Sequence, residues 1–126
     1  MLVPAWTQPL QFEPLPLLDL EAVDKKLAGE MFGRWLISDA SGDRNCGVAF
    51  GRDPAIGGME IEVDPQCGQL FPVMGDIAAW RLLEGWVIDL VDAERNTRVR
   101  FETPDESYVA VPEVDGIVTI EPEPID

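Results

Sequence analysis

Histidine is missing from the whole 126-residue chain. That removes the commonest general base at neutral pH and the commonest protein ligand for transition metals. A Ser-His-Asp triad, a Cys-His pair and a His-bearing zinc centre are all excluded. Basic residues are scarce as well: 9 Lys and Arg face 24 Asp and Glu, for a net charge of −15. A surface of that sign repels phosphate backbones and anionic lipid headgroups, so neither nucleic acid nor membrane insertion is expected. No apolar run approaches the roughly 18 residues that a membrane span needs. The start, Met1-Leu2-Val3-Pro4-Ala5-Trp6, has neither the basic n-region nor the continuous apolar h-region of a secretory signal. The expectation is a trimmed chain carrying an added Met1, or else a cytosolic protein.

Cysteine is limited to Cys46 and Cys67. An even count at wide spacing, beside the turn-forming Asn45, Gly47 and Gly68, reads as one disulfide and therefore an oxidising compartment, periplasmic or secreted. The alternative is a pair of buried free thiols in a cytosolic protein. Closing the loop would contribute about 3 kcal/mol by the chain-entropy estimate.

A hydrophobic content of 46% is too high for a disordered chain, and the length fits one domain with a real core. Residues 1–18 carry Pro4, Pro9, Pro14 and Pro16, which dictate an extended, polyproline-like arm. The arm also carries Trp6, Leu10, Phe12, Leu15, Leu17 and Leu18, more apolar surface than a spacer needs. It therefore packs on its own domain or docks on a partner, and Trp6 has the character of a binding anchor. Residues 19–126 form the remaining domain. They open with a helix expected over 19–29, with Asp19 as N-cap, Gly29 near the C-cap, and Leu20, Val23 and Leu27 on the face turned to the core.

From Gly33 the hydrophobic period changes to two. Strands are expected at 33–38, 46–51, 57–63, 79–83, 86–91, 97–103, 107–111 and 116–121. Turn chemistry separates them, as at Ser41-Gly42-Asp43, Arg52-Asp53-Pro54, Glu84-Gly85 and Asp115-Gly116. Residues 67–77 are expected to be irregular with one helical turn. Short connections indicate antiparallel hairpins, and eight such strands close into an up-and-down barrel without edges. Trp35, Phe50, Ile61, Trp80, Leu82, Ile88, Leu90, Phe101, Tyr108 and Ile117 are the expected interior, enough bulk to fill it. Acidic pairs do not make a convincing active site. Glu60 and Glu62 share the wet face of one strand, and Asp39 and Asp43 lack the ligand number and spacing of a calcium loop. No catalytic residue, metal or cofactor is assigned.

The ordered set Gly33-x-Trp35, Ser38-Asp39-Ala40, Cys46, Asp64-Pro65-Gln66-Cys67, Ala78-Ala79-Trp80-Arg81, Arg100-Phe101, Tyr108 and Gly116 resembles the bacterial alkaline-proteinase inhibitor (Inh) family over about residues 26–121. The resemblance implies an all-β, eight-stranded, lipocalin-like barrel with Cys46 and Cys67 joined, and structural roles for Gly33, Trp35, Trp80 and Tyr108. It implies a periplasmic protein of Gram-negative bacteria, a monomer that inhibits a secreted serralysin-type zinc metalloprotease and has no catalysis of its own. In that family the N-terminal segment enters the protease cleft and the barrel rim adds contacts. Here that segment is Met1, Leu2, Val3, Pro4, Ala5 and Trp6, within an arm longer and more apolar than the family pattern. The competing reading keeps the barrel as a cell-envelope module for another protein or a small apolar ligand.

Overall fold

The computed structural model describes residues 12–123. The period-two segments become eight strands: β1 (Gly33–Ser38), β2 (Asn45–Ala55), β3 (Gly58–Val63), β4 (Ile77–Leu83), β5 (Val87–Asp92), β6 (Thr97–Glu102), β7 (Tyr108–Val114) and β8 (Ile117–Pro122). Each pairs antiparallel with the next, and β8 returns to β1, so the sheet closes into the expected barrel. Between β7 and β8 the connection is the two-residue turn Asp115-Gly116, with φ of 54° and 88°. Two left-handed residues match the twist of the flanking strands, which is why Asp-Gly serves there.

β4 begins two residues earlier than expected, at Ile77, and β7 runs on to Val114 rather than 111; two further boundaries differ for reasons the chain itself shows. β2 does not stop before Arg52-Asp53-Pro54; it runs on to Ala55, with a register shift between Phe50 and Pro54. Proline has no N–H for the ladder and is tolerated at such a bulge, so the turn falls one step later, at Ile56-Gly57. The helix is also shorter than residues 19–29. α1 covers only Lys25–Gly29, and Asp24 caps it by accepting from the amides of Lys26 (2.8 Å) and Leu27 (3.2 Å). Asp19 opens a separate turn, accepting from the Glu21 amide through its side chain and from the Ala22 amide through its carbonyl. The expected apolar face is therefore broken. Ala28 is the buried helical residue, while Leu27 stays 50% exposed.

The barrel interior is packed from end to end. Phe50 and Trp80 stack at 4.3 Å between ring centroids, and Trp35 leans on Phe50 at 5.7 Å. Ile37, Val48, Leu82, Ile88, Leu90, Val99, Phe101, Ile117 and Ile120 fill the remaining space. Truncating an aromatic residue in such a core costs about 3–5 kcal/mol. At the lower end, α2 (Cys67–Leu70) and a 3₁₀ turn (Pro72–Asp76) lay Phe71, Val73 and Met74 over the opening. The Cys46–Cys67 disulfide, with Cα atoms 5.4 Å apart, ties this lid to β2. At the upper end Trp35 closes the barrel, and its indole N–H donates to the Met31 carbonyl at 3.0 Å.

One seam is thin. β3 and β4 share a single register pair, Met59 with Trp80. Gly58 lies so close to the Trp80 carbonyl that a Cβ there would sit 2.3 Å from the oxygen, which explains the glycine.

Candidate functional site

Two surfaces combine unusual chemistry with a defined position. The first is the upper rim. The β4–β5 hairpin turns through Gly85 and Trp86, both left-handed, with φ of 81° and 63°. Glycine accepts this conformation freely; a bulky residue such as Trp86 does so at a cost of about 1–2 kcal/mol. The turn is held from across the rim: the Tyr108 hydroxyl donates to the Trp86 carbonyl. The Tyr108 ring meets Trp35 edge-on at 5.7 Å. Burial pushes the Tyr108 phenol up to about 12. Leu27, Met31, Trp86, Tyr108 and Ile120 line an open depression of about 580 Å³, with Glu30, Glu106 and Glu121 around it.

The second surface is the outer wall of β4–β6. β5 is buried on both faces from Val87 to Val91, which a barrel strand with one wet face is not. The cause is two layers laid over the outside. The β2–β3 turn brings Gly57 against Val91, and Arg81 donates to the carbonyls of Gly57 and Arg95. Beside it lies the described part of the arm. Leu17 pairs with Leu83, the Leu18 amide donates to the Leu82 carbonyl at 3.0 Å, and the Glu84 amide donates to the Pro16 carbonyl at 2.9 Å. The arm thus takes the edge of β4 that the thin β3 seam leaves open.

Beneath it sits a buried ion pair. Arg100 grips Asp89 through Nε at 2.7 Å and Nη2 at 2.9 Å, and Thr97 adds a hydroxyl at 2.9 Å. The remaining guanidinium nitrogen, Nη1, donates to the Glu13 carbonyl at 2.7 Å, and the Phe12 ring lies 5.3 Å from the guanidinium carbon. Both ionic side chains are almost fully covered, at 7% and 1% exposure. The hydrogen bonds to Asp89 raise the Arg100 pKa against the opposing effect of burial.

A family model described as "Protease inhibitor Inh" matches residues 25–121. The chain belongs to the Inh family of protease inhibitors. No curated protein is similar enough to count as a match. The Inh match covers α1 and all eight strands to within the last residue of β8, while Phe12–Leu18 lies before it and docks on a wall inside it.

Within the Inh barrel the cysteines are joined as the resemblance implied. Gly33, at φ 110°, starts β1 in a conformation that favours glycine. Trp35 and Trp80 are core, at 3% and 0% exposure. Tyr108 is half-buried at the rim. Met1, Leu2, Val3, Pro4, Ala5 and Trp6 lie outside the described residues. Glu60 and Glu62 are exposed on β3, as a wet strand face requires. Asp39 is occupied by its own loop, accepting from Ser41 Oγ, the Gly42 amide and Arg44 Nε. Desolvation there opposes ionisation, but these donors, Arg44 foremost, outweigh it and hold Asp39 at about 2. Among the described residues no group of three or more Cys, Asp or Glu converges as a metal site.

The sequence reading missed the Asp89–Arg100 pair. Its signal was present: Asp89 interrupts Val87-Ile88-x-Leu90-Val91, and Arg100 sits between Val99 and Phe101. Charges inside runs that apolar predict burial and a partner. Trp86 was read only as the start of a strand, since nothing in its identity announces a left-handed backbone.

Proposed function

We propose that this Inh barrel inhibits a secreted serralysin-type zinc metalloprotease by binding it, with no catalysis of its own. The observation that carries the reading is the family match across a complete, disulfide-tied closed barrel. The N-terminal segment, Met1 to Trp6, is the inhibitory element and the upper rim supplies further contact. An extended chain pairs its main-chain groups with a protease cleft as a substrate strand does. Prolines lower its ordering cost and make it a poor substrate. A backbone carbonyl or free amine at its tip can approach the protease zinc, so the inhibitor needs no histidine. The disulfide favours a periplasmic or secreted location, and the protein acts as a monomer.

The packed interior weighs against the competing reading of a small apolar ligand held in the barrel. The test is a panel of secreted proteases, metallo- and serine, assayed with the intact chain and with a form lacking residues 1–11. Stoichiometric inhibition confined to the serralysin type, and lost on truncation, is the expected result. Inhibition of serine proteases alone, or of nothing at micromolar concentration, would refute it.

A further inference from the structure

We propose that Arg100, held by Asp89, is a positioning residue: it pins the chain at Phe12–Glu13 to the outer wall and so fixes the point from which residues 1–11 start. This rests on the reading of that segment as the inhibitory element.

Three observations on different elements converge on this. First, the pair lies on the outer face of β5 and β6, away from the packed interior, yet is nearly inaccessible. An ion pair stripped of water is a poor way to stabilise a barrel, because desolvation offsets most of the attraction. A geometric role is the better account of its cost. Second, Asp89 satisfies two guanidinium nitrogens and leaves Nη1 aimed outward, where it is taken by the Glu13 main-chain carbonyl. A main-chain acceptor fixes the path of the chain whatever side chain residue 13 carries. Third, Pro16–Leu18 pairs with β4 only a few residues away, so the segment is held at two separated points, one by strand pairing and one by the guanidinium. Two points define a direction as well as a place.

The consequence is quantitative. With the root at Phe12, eleven residues precede it; with the Arg100 tie lost, the next fixed point is Pro16, with fifteen. The effective concentration of a tethered tip falls roughly as the −3/2 power of the tether's length, which gives about a 1.6-fold loss. Loss of a set direction adds to it.

The experiment replaces both charges together, D89L/R100M, because removing one alone would strand the other. A second variant, Leu18→Pro, deletes the amide that bonds Leu82 and leaves the ion pair intact. Near-UV circular dichroism checks the barrel, and amide hydrogen exchange at Leu18 and Glu84 reads the docking of the segment without any protease. The double variant should keep the native dichroism, speed exchange of the Glu84 amide at least tenfold, and weaken protease inhibition about 1.5-fold or more. Leu18→Pro should also speed exchange at Glu84 but weaken inhibition less, because Glu13 stays held by Arg100; an equal or larger loss would overturn the role of Arg100. Unchanged exchange in the double variant overturns the anchoring; faster exchange with unchanged inhibition overturns the positioning role. If D89L/R100M does not fold, Arg100→Lys, which keeps a charge opposite Asp89 but has no second fork nitrogen for the Glu13 carbonyl, decides on the same two readouts. Failure of the unaltered chain to inhibit any protease sinks the inhibitor reading and with it the use of the anchor, while the exchange rates still decide whether the anchor exists.

Discussion

Tyr108 donates its hydroxyl to the Trp86 carbonyl from a half-buried position, and burial lifts its pKa from 10.0 to about 12. The folded state therefore holds this proton more tightly than the unfolded chain. The resulting stability is fully present below pH 10 and is lost as pH rises toward 12. Tyr108 is the one tyrosine in the sequence, so phenolate absorbance reports on it alone. Its midpoint should lie near 12 in the native protein and near 10 in denaturant. In Tyr108→Phe, thermal stability should decline less steeply between those pH values; an equal decline would show that other groups govern it. At this scale the sequence was a partial guide. Trp35, Trp80 and Phe50 were legible as core from their size and alternation. The hydroxyl of Tyr108 was not, because its acceptor is a main-chain oxygen on a turn whose geometry only the folded chain defines.

The elements divide by how local their causes are. Asp115-Gly116 is a turn in any context, and the strands on either side follow from it. β2 was truncated in the sequence reading because Arg52-Asp53-Pro54 has local turn character, which the bulge after Phe50 overrides. α1 was overextended because Asp19 and Asp24 are equally good caps on paper. That the arm packs on its own domain was one of two readings the sequence left open, but that Phe12–Leu18 docks on the edge of β4 was beyond reach, since it depends on β3 and β4 pairing only once. The lower lid depends on a long-range tie that was legible: Cys46 and Cys67, 21 residues apart. Replacing both with alanine should lower the unfolding free energy by about 3 kcal/mol, measured by denaturant titration. A change below about 1 kcal/mol would mean that packing of Phe71 and Met74 holds the lid unaided.

For the molecule as a whole, composition bounded the answer more tightly than any motif. The missing histidine removed most hydrolytic mechanisms, and a net charge of −15 left a protein partner as the natural counterpart. Such charge also favours encounter with a basic surface and weakens that attraction as salt rises. The barrel class could be read from eight short apolar runs separated by turn residues. Which part of its surface meets the partner could not, because the rim and the wall are assembled from residues far apart in the chain, such as Trp86 with Tyr108 and Glu13 with Arg100.

The lower lid has a further implication for survival. A digestive enzyme cuts chain that it can straighten, and strands in a closed ladder cannot be straightened without unfolding. Residues 64–76 form the longest stretch between neighbouring strands and would be the natural place to be nicked. They are pinned by the sulfur bridge at Cys67, by Arg44 on the Leu70 carbonyl and by Asp115 on the Val73 amide. Thermolysin should leave residues 12–123 of the oxidised protein uncut, and should cleave within 64–76 once the bridge is reduced, as seen by mass spectrometry. A molecule built this way can sit against a working protease for as long as it must without being consumed.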